Sequence, residues 1–441
     1  MASLFLDGLP PETLQDILSL LDWREQLSVR LVSRRWRGIA DECLARRQQL
    51  QLYGTDVHGS LTPEKVKLLL EMMPSLRRLH LDGRSPTEAS RTTAVTHYQQ
   101  HPEDADICSV DRSAVELLCC FFQRLEQLSL TYVSLRCTGL PPQPAPSSQL
   151  RHLDLSRTNV SSEDLAGALS SCPQLVQLSV AHCPQLTADW LPQLTGCSQL
   201  EQLDITALKV CTREDCDVLA AALAGCPRLQ RLSVACVKCP HQYLPASGLA
   251  HLTHLDLSNT NVHPLLLRSL SQLAPQLRDL RLRAARVLRL PALVNGLPLL
   301  RRLEVLDTRV VCESAVPTVL AALHGLPLRA LACGRYNCYV TAESIAELVV
   351  AVPTLALFQL ATGGGRQALE AARLLGERLP SGRTVTFIAE PGAVSEQGVS
   401  VSPEQGVSVS PEQGVRVVVP RHGLWETLAD PQWPHGSEGI W

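Results

Sequence analysis

The chain has 441 residues, a formal net charge of −3 at pH 7, 45% apolar and only 4% aromatic residues. A near-neutral balance gives no global attraction to nucleic acid or to an anionic membrane, and no run of roughly 18 or more apolar residues offers a membrane-spanning helix. The length exceeds what one hydrophobic core usually supports, which favours separate domains or a repeat array that grows along one dimension. The opening MASLFLDGLP is too short and too soon broken by proline to read as a secretory signal. The expected location is therefore cytoplasmic and/or nuclear. There the 16 cysteines are expected mostly as buried thiols, and the sequon Asn159-Val160-Ser161 as silent.

The stretch Leu9 to Ala40 reads as three short helices. Pro10 and Pro11 suit a helix start, where the first amides have no partner inside the helix. Leu14, Ile17, Leu18 and Leu21 recur at helical spacing, Leu27 and Leu31 form a second stripe, and Ser33 can cap a third helix carrying Trp36, Ile39 and Ala40. About forty residues cannot bury enough surface to stand alone, so the unit wants a partner or a neighbour. Its elements Leu9-Pro10-Pro11-Glu12, Ile17-Leu18 and Val32-Ser33-Arg34-Arg35-Trp36 resemble the F-box. That resemblance implies docking on the Skp adaptor of a cullin-RING ubiquitin ligase, through Leu9, Pro10, Pro11, Ile17, Leu18, Leu21, Leu27, Val32 and Trp36. The alternative is a helical cap that uses the same stripes for internal packing.

Leu-x-x-Leu-x-Leu segments then begin at Leu76, Leu125, Leu150, Leu175, Leu200, Leu229, Leu252, Leu277, Leu300, Leu328 and Leu355. Most spacings lie between 23 and 29 residues, the range of leucine-rich repeats. Each unit is expected to supply a strand, a turn and an outer helix. Ser161 with Asp164 and Thr212 with Asp215 have capping-box spacing, and Leu165, Ala168 and Leu169 mark the packed helix face. Cys172, Cys197 and Cys226 recur at the helix ends as small core residues. The units resemble the cysteine-containing repeats of F-box proteins. Cys183 holds that family's cysteine position, where other units have Thr158, Leu208, Thr260, Ala285 and Thr308.

The fold class expected is α/β: a short three-helix F-box at 1–48, a linker and cap at 49–75, and a leucine-rich-repeat horseshoe at 76–390 with parallel strands inside and helices outside. A polar insertion near 84–113, within a spacing of 49 residues, is either a loop or a worn repeat. Residues 391–419 hold eight-residue repeats that read as a disordered tether, or as a small hairpin because their valines alternate. Residues 420–441 form a tail with Trp425, Trp433 and Trp441, of which at least one is expected to dock on the repeats or on a partner.

Strand alternation puts one column of residues on the concave side of such a horseshoe. It reads His80, Ser129, Asp154, Ser179, Asp204, Ser233, Asp256, Arg281, Glu304, Ala332 and Gln359. Its charges, with Arg283, Arg302 and Trp441 beside it, form the expected substrate-binding set. The column is expected to turn basic at Arg281, where Arg281, Arg283 and Arg302 could accept a phosphorylated segment. Plain solvated strand surface is the alternative. Cys236-Val-Lys-Cys239 near His241, with Cys211 and Cys216 upstream, lacks a tightly spaced second ligand pair for zinc. The turn at Gly363 lacks the lysine and hydroxyl of a phosphate loop. No catalytic residues, metal or cofactor are assigned. The sequence points to a substrate-recognition subunit that brings a target protein to the ligase, with a repeat scaffold or a Skp-bound adaptor without ligase role as the rival readings.

Overall fold

The computed structural model describes residues 9–57, 60–85, 108–111, 124–136, 149–210, 212–237, 249–260, 269–270, 272–282, 299–305, 328–333, 341–360, 370–371, 373–375, 378, 385–388, 407–410 and 415–418. The chain divides into two compact units, one formed by 1–89 with 101–175 and the other by 90–100 with 176–441.

The first unit opens with helices α1 (Pro11–Ser19), α2 (Trp23–Val29) and α3 (Arg34–Ala45). Pro11 starts α1, Asp22 and Glu25 cap α2 reciprocally, and the Ser33 hydroxyl accepts the Trp36 amide at the head of α3. Leu14, Leu18, Trp36, Ile39, Ala40 and Cys43 form a small core of their own. Each large apolar side chain in it contributes about 1.5–3 kcal/mol. The second stripe differs from expectation. Leu31 falls beyond α2 and is 82% exposed, while Gln26 is buried and donates its amide to the Leu18 carbonyl at the end of α1. The Leu18 carbonyl, which also takes the Leu21 amide at 3.2 Å, thus ties the start of α2 to the end of α1.

After α3 come β1 (Gln49–Tyr53), β2 (Ser60–Leu61), α4 (Pro63–Met72), β3 (Arg78–Asp82), β4 (Ser109–Asp111), β5 (Gln127–Thr131), β6 (Ser134–Arg136), β7 (His152–Asp154) and α5 (Ser162–Ser170). Strands β1, β3, β5 and β7 pair in parallel, with Leu50, Leu79, Leu128 and Leu153 in register. The array therefore begins at Gln49, inside the stretch expected to be a linker. Arg47 stands where later repeats have their first leucine, which hides the unit from the leucine pattern. Its guanidinium donates to the Leu21 carbonyl of the helical unit.

Because β3 pairs directly with β5, the long spacing is one repeat carrying an insertion rather than a worn extra repeat. Residues 86–107 and 112–123 of that segment lie outside the described residues. Between them β4 joins β2 and β6 in a second, three-stranded parallel sheet. Beyond β6 the Asn159 side chain takes the place of a fourth strand. Its Oδ1 accepts the Leu135 amide at 2.6 Å and its Nδ2 donates to the Leu135 carbonyl at 3.1 Å. A side-chain amide carries the same donor and acceptor as a peptide unit, so it satisfies both groups.

The second unit carries β8 (Gln177–Ser179), β9 (Gln202–Asp204), β10 (Arg231–Ser233), β11 (His254–Asp256), β12 (Asp279–Arg281), β13 (Arg302–Val305), β14 (Ala330–Cys333), β15 (Leu357–Leu360) and β16 (Val385–Ile388). They lie side by side in parallel. Helices α6 (Arg213–Ala224) and α7 (Ala342–Ala351) belong to the same unit, and α6 opens on the Thr212–Asp215 capping box. The segment Leu191–Gly196 winds as a 3₁₀ helix instead of the expected α-helix, with Pro192 in its first turn. Beyond β16 the chain does not simply trail off as a tether. Residues Val407–Ser410 (β17) and Val415–Val418 (β18) pair antiparallel, and β18 runs parallel to β16. The valine alternation wins over the low complexity, as the hairpin reading had it.

The cysteine ladder is explained by burial. Cys183, Thr158, Leu208 and Thr260 are all buried, and each threonine hydroxyl donates to a carbonyl three residues back, Leu155 at 2.7 Å and Leu257 at 2.5 Å. Any small or apolar group that satisfies itself locally fits the position. Among the described cysteines, burial pushes Cys108 and Cys226 up to about 11, so they are inert thiols. Cys216 is disulfide-bonded.

A methyl group on Gly83 would lie 1.8 Å from the Tyr132 carbonyl oxygen of the neighbouring repeat. Backbone cannot yield there as a flexible side chain would. Gly83→Ala is expected to cost about 3 kcal/mol, read as a lower denaturant midpoint with early loss of amide protection in β3 and β5.

Candidate protein interaction site

The helical unit spends part of its apolar set internally and exposes the rest. Leu18 and Trp36, both expected to touch an adaptor, are buried in the core, and Leu9, Leu21 and Leu27 are half-buried. Leu9 packs on that core and its carbonyl accepts from Arg35. Pro10 and Pro11 are exposed, as are Ile17 (39%) and Val32 (66%). Leu20 at 86%, which the stripes did not single out, and Leu31 of the second stripe are more open still. Leu20 sits off the packed side of α1, and Leu31 lies in the connection to α3. Four large apolar side chains of this small helical unit are thus left exposed.

This unit is clamped to the first strand. The Arg24 guanidinium binds Asp56 through two bonds, at 2.7 and 2.5 Å, and lies over the rings of Trp23 at 4.8 Å and Tyr53 at 5.9 Å. The Trp23 indole donates to the Gln51 carbonyl on β1 at 3.1 Å. A bidentate pair with a mostly buried carboxylate fixes angle as well as distance. Sequence periodicity gave no sign of this joint, because its members are 27 residues or more apart in the chain.

On the strand face of the first unit, the expected column residues His80, Ser129 and Asp154 do come together. His80 Nδ1 lies 2.7 Å from the Ser129 hydroxyl, which donates onward to Asp154 Oδ2 at 3.4 Å. Since that hydroxyl spends its proton on Asp154, His80 donates from Nδ1. Burial pushes His80 below and Asp154 above their ordinary values. The order excludes a hydrolytic triad, in which histidine must stand between the hydroxyl and the acid. Above the row, Arg84 binds Asp82 and covers the Tyr132 ring at 3.9 Å.

The column's aspartates, expected to meet a substrate, are buried and engaged in their own turns. Asp154 Oδ1 accepts the amide and hydroxyl of Ser156 at 2.9 and 2.6 Å, and in the second unit Asp204 does the same for Thr206. Asp256 accepts the Ser258 amide at 2.8 Å. The residue after each of these turns, Arg157, Ala207 or Asn259, has positive φ. A three-residue Asp-x-Ser/Thr pattern was the available signal.

In the second unit the described part of the column around Arg281 holds residues of both signs. Arg281 stands in register between Asp256 and Glu304. In the adjoining column Asp279 lies 2.8 Å from His254 and 3.9 Å from Arg302. Charges thus alternate from strand to strand, the arrangement that stabilises neighbouring strands. Arg283 and Trp441 lie outside the described residues, as do Trp425 and Trp433. Cys211, Cys239 and His241 of the zinc reading lie outside as well, and among the described residues no three His, Cys, Asp or Glu side chains are grouped to hold a metal ion.

Removing the Asp204 carboxylate leaves the Thr206 amide short of an acceptor, so Asp204→Ala is expected to lower stability by about 1–3 kcal/mol, read by chemical denaturation. For His80 the folded value is below the unfolded one, near 6.5. On acidification the unfolded chain takes up its proton first, and this contribution is lost as pH falls below that value. His80→Gln is expected to flatten that part of the acid limb in a pH series of thermal melts.

Residues 6–51 match the F-box-like family. A comparison with curated proteins finds no match. Among solved structures the chain is similar to a chain in the crystal structure of the Rad7 and Elc1 complex in yeast, 16% identical over 73% of this chain and 72% of that chain, with a TM-score of 0.45. The N-terminal helical unit is thus an F-box-like motif, followed by parallel strands with flanking helices.

Proposed function

We propose that this chain is a substrate-recognition subunit of a cullin-RING ubiquitin ligase of the Skp-cullin-F-box type, acting in the cytoplasm or nucleus. The observation that carries the reading is the F-box-like unit with a core of its own and with Ile17, Leu20, Leu31 and Val32 left exposed. These side chains would form the adaptor contact, and the repeats would hold a target protein on their strand face. Catalysis would come from proximity: the chain raises the local concentration of target lysines near a ubiquitin-loaded enzyme. The buried column aspartates leave recognition to the more exposed neighbours such as Arg302 and to segments outside the described residues.

The decisive experiment separates docking from folding. Ile17→Asp with Val32→Asp changes exposed residues, so the thermal midpoint is expected to hold while adaptor affinity falls at least about tenfold, some 1.4 kcal/mol. Leu18→Ala is expected to lose both, at about 2–5 kcal/mol of stability. Co-purification of the natural chain with the Skp adaptor and cullin supports the proposal. Adaptor without cullin points to a ligase-independent complex, and neither points to a repeat scaffold.

A further inference from the structure

The chain contains 36 arginines and only four lysines, Lys65, Lys67, Lys209 and Lys238. At an exposed position without a bidentate partner either side chain supplies a solvated positive charge, and lysine is ordinarily a common surface residue. Here the exposed position after the first leucine of a repeat holds Arg77, Arg151, Arg278, Arg301 and Arg329, and never lysine. What separates the two is nucleophilicity. A lysine amine can lose its proton and attack a carbonyl, whereas a guanidinium stays protonated and cannot.

The structure withdraws one of the four amines. Lys65 is half-buried and its Nζ donates to the Val57 carbonyl at 2.5 Å and the Ser60 carbonyl at 2.8 Å, tying the connection between β1 and β2. Lys67 is exposed on α4 and Lys209 is exposed in the turn after β9. Lys238 lies outside the described residues.

We infer that the chain's surface is built to escape acylation by the ubiquitin thioester it helps to deliver, and that its own modification is confined mainly to Lys67, Lys209 and Lys238. The inference rests on the ligase reading above. In the step avoided, a neutral lysine Nζ attacks the thioester carbonyl at the ubiquitin C-terminus. The N–C bond forms, the C–S bond breaks, the carrier enzyme's thiol leaves and the amine's proton passes to water. Arginine in place of lysine keeps the charge and removes the nucleophile, so a receptor held beside the loaded enzyme for many turnovers is not consumed by it.

The test uses the full chain with the Skp adaptor, the cullin-RING pair and the loading and carrier enzymes, with isopeptide sites mapped by mass spectrometry. Arg151→Lys, Arg278→Lys, Arg301→Lys and Arg329→Lys together change exposed side chains outside the proposed contacts. Self-modification of this variant is expected to rise about twofold, in proportion to accessible acceptors, with the new sites at those positions. Lys67→Arg with Lys209→Arg and Lys238→Arg is expected to remove most of the natural chain's modification, and Lys65→Arg to leave it unchanged. Restored lysines that stay unmodified, or a natural chain modified chiefly at Lys65, overturn the inference. A lysine-bearing, unstructured N-terminal tag in every reaction serves as the internal acceptor. If the tag also stays bare and the adaptor does not bind, the ligase reading fails and takes this inference with it.

Discussion

The constraint on which this architecture depends is that each repeat must leave its strand within three residues and still satisfy its backbone. The residue that follows the turn is left-handed at Tyr132 and Arg157 in the first unit and at His182, Ala207, Cys236 and Asn259 in the second, none of them glycine. That conformation costs about 1–2 kcal/mol for a residue with a side chain. It is offset where the amide so placed reaches a carbonyl of the next repeat, as His182 does to Thr206, Ala207 to Ala235 and Cys236 to Ser258, at 2.7–2.8 Å. Three residues before Arg157, Ala207 and Asn259, the carboxylates of Asp154, Asp204 and Asp256 hold their turns from within. Polar groups on the strand face are thus part of the fold before they are available to any partner.

This changes what the face can offer. A carboxylate that already accepts an amide and a hydroxyl, inside a buried row, adds little to recognition of an extended peptide. Alternating charge between adjacent strands also cancels much of the field that a run of like residues would project. Selectivity for a target would then come from shape and from side chains standing higher than the column.

Much of the fold was legible because repetition multiplies a weak signal. Leucines recurring at fixed spacing located the strands of the long sheet from β3 to β15, though not β4 and β6 of the second sheet, and the serine and threonine caps marked α5 and α6. The same method missed β1, since Arg47 replaces the leading leucine, and read α2 wrongly, since Gln26 is held by a hydrogen bond rather than by apolar contact. The candidate site was less legible. Periodicity identifies which residues share a face, but not whether they are spent. Leu18 and Leu20 differ by two positions and by nearly the whole range of exposure, and the aspartates of the column look like ligand-binding groups until their turns are seen. The Arg24–Asp56 clamp depends on a tertiary meeting that no local pattern encodes.

That clamp has a second effect, on how the chain avoids associating with itself. A parallel array ends in strands whose outer amides and carbonyls invite pairing with another molecule. In the first unit the outer side of β1 meets the Trp23 indole, with Arg24, Asp56 and Tyr53 alongside. The helical unit is therefore also the terminal cap that a repeat array needs for solubility. A fragment trimmed to the repeats alone would expose this strand, so the segment that would dock on an adaptor cannot be removed without giving the remainder a sticky end.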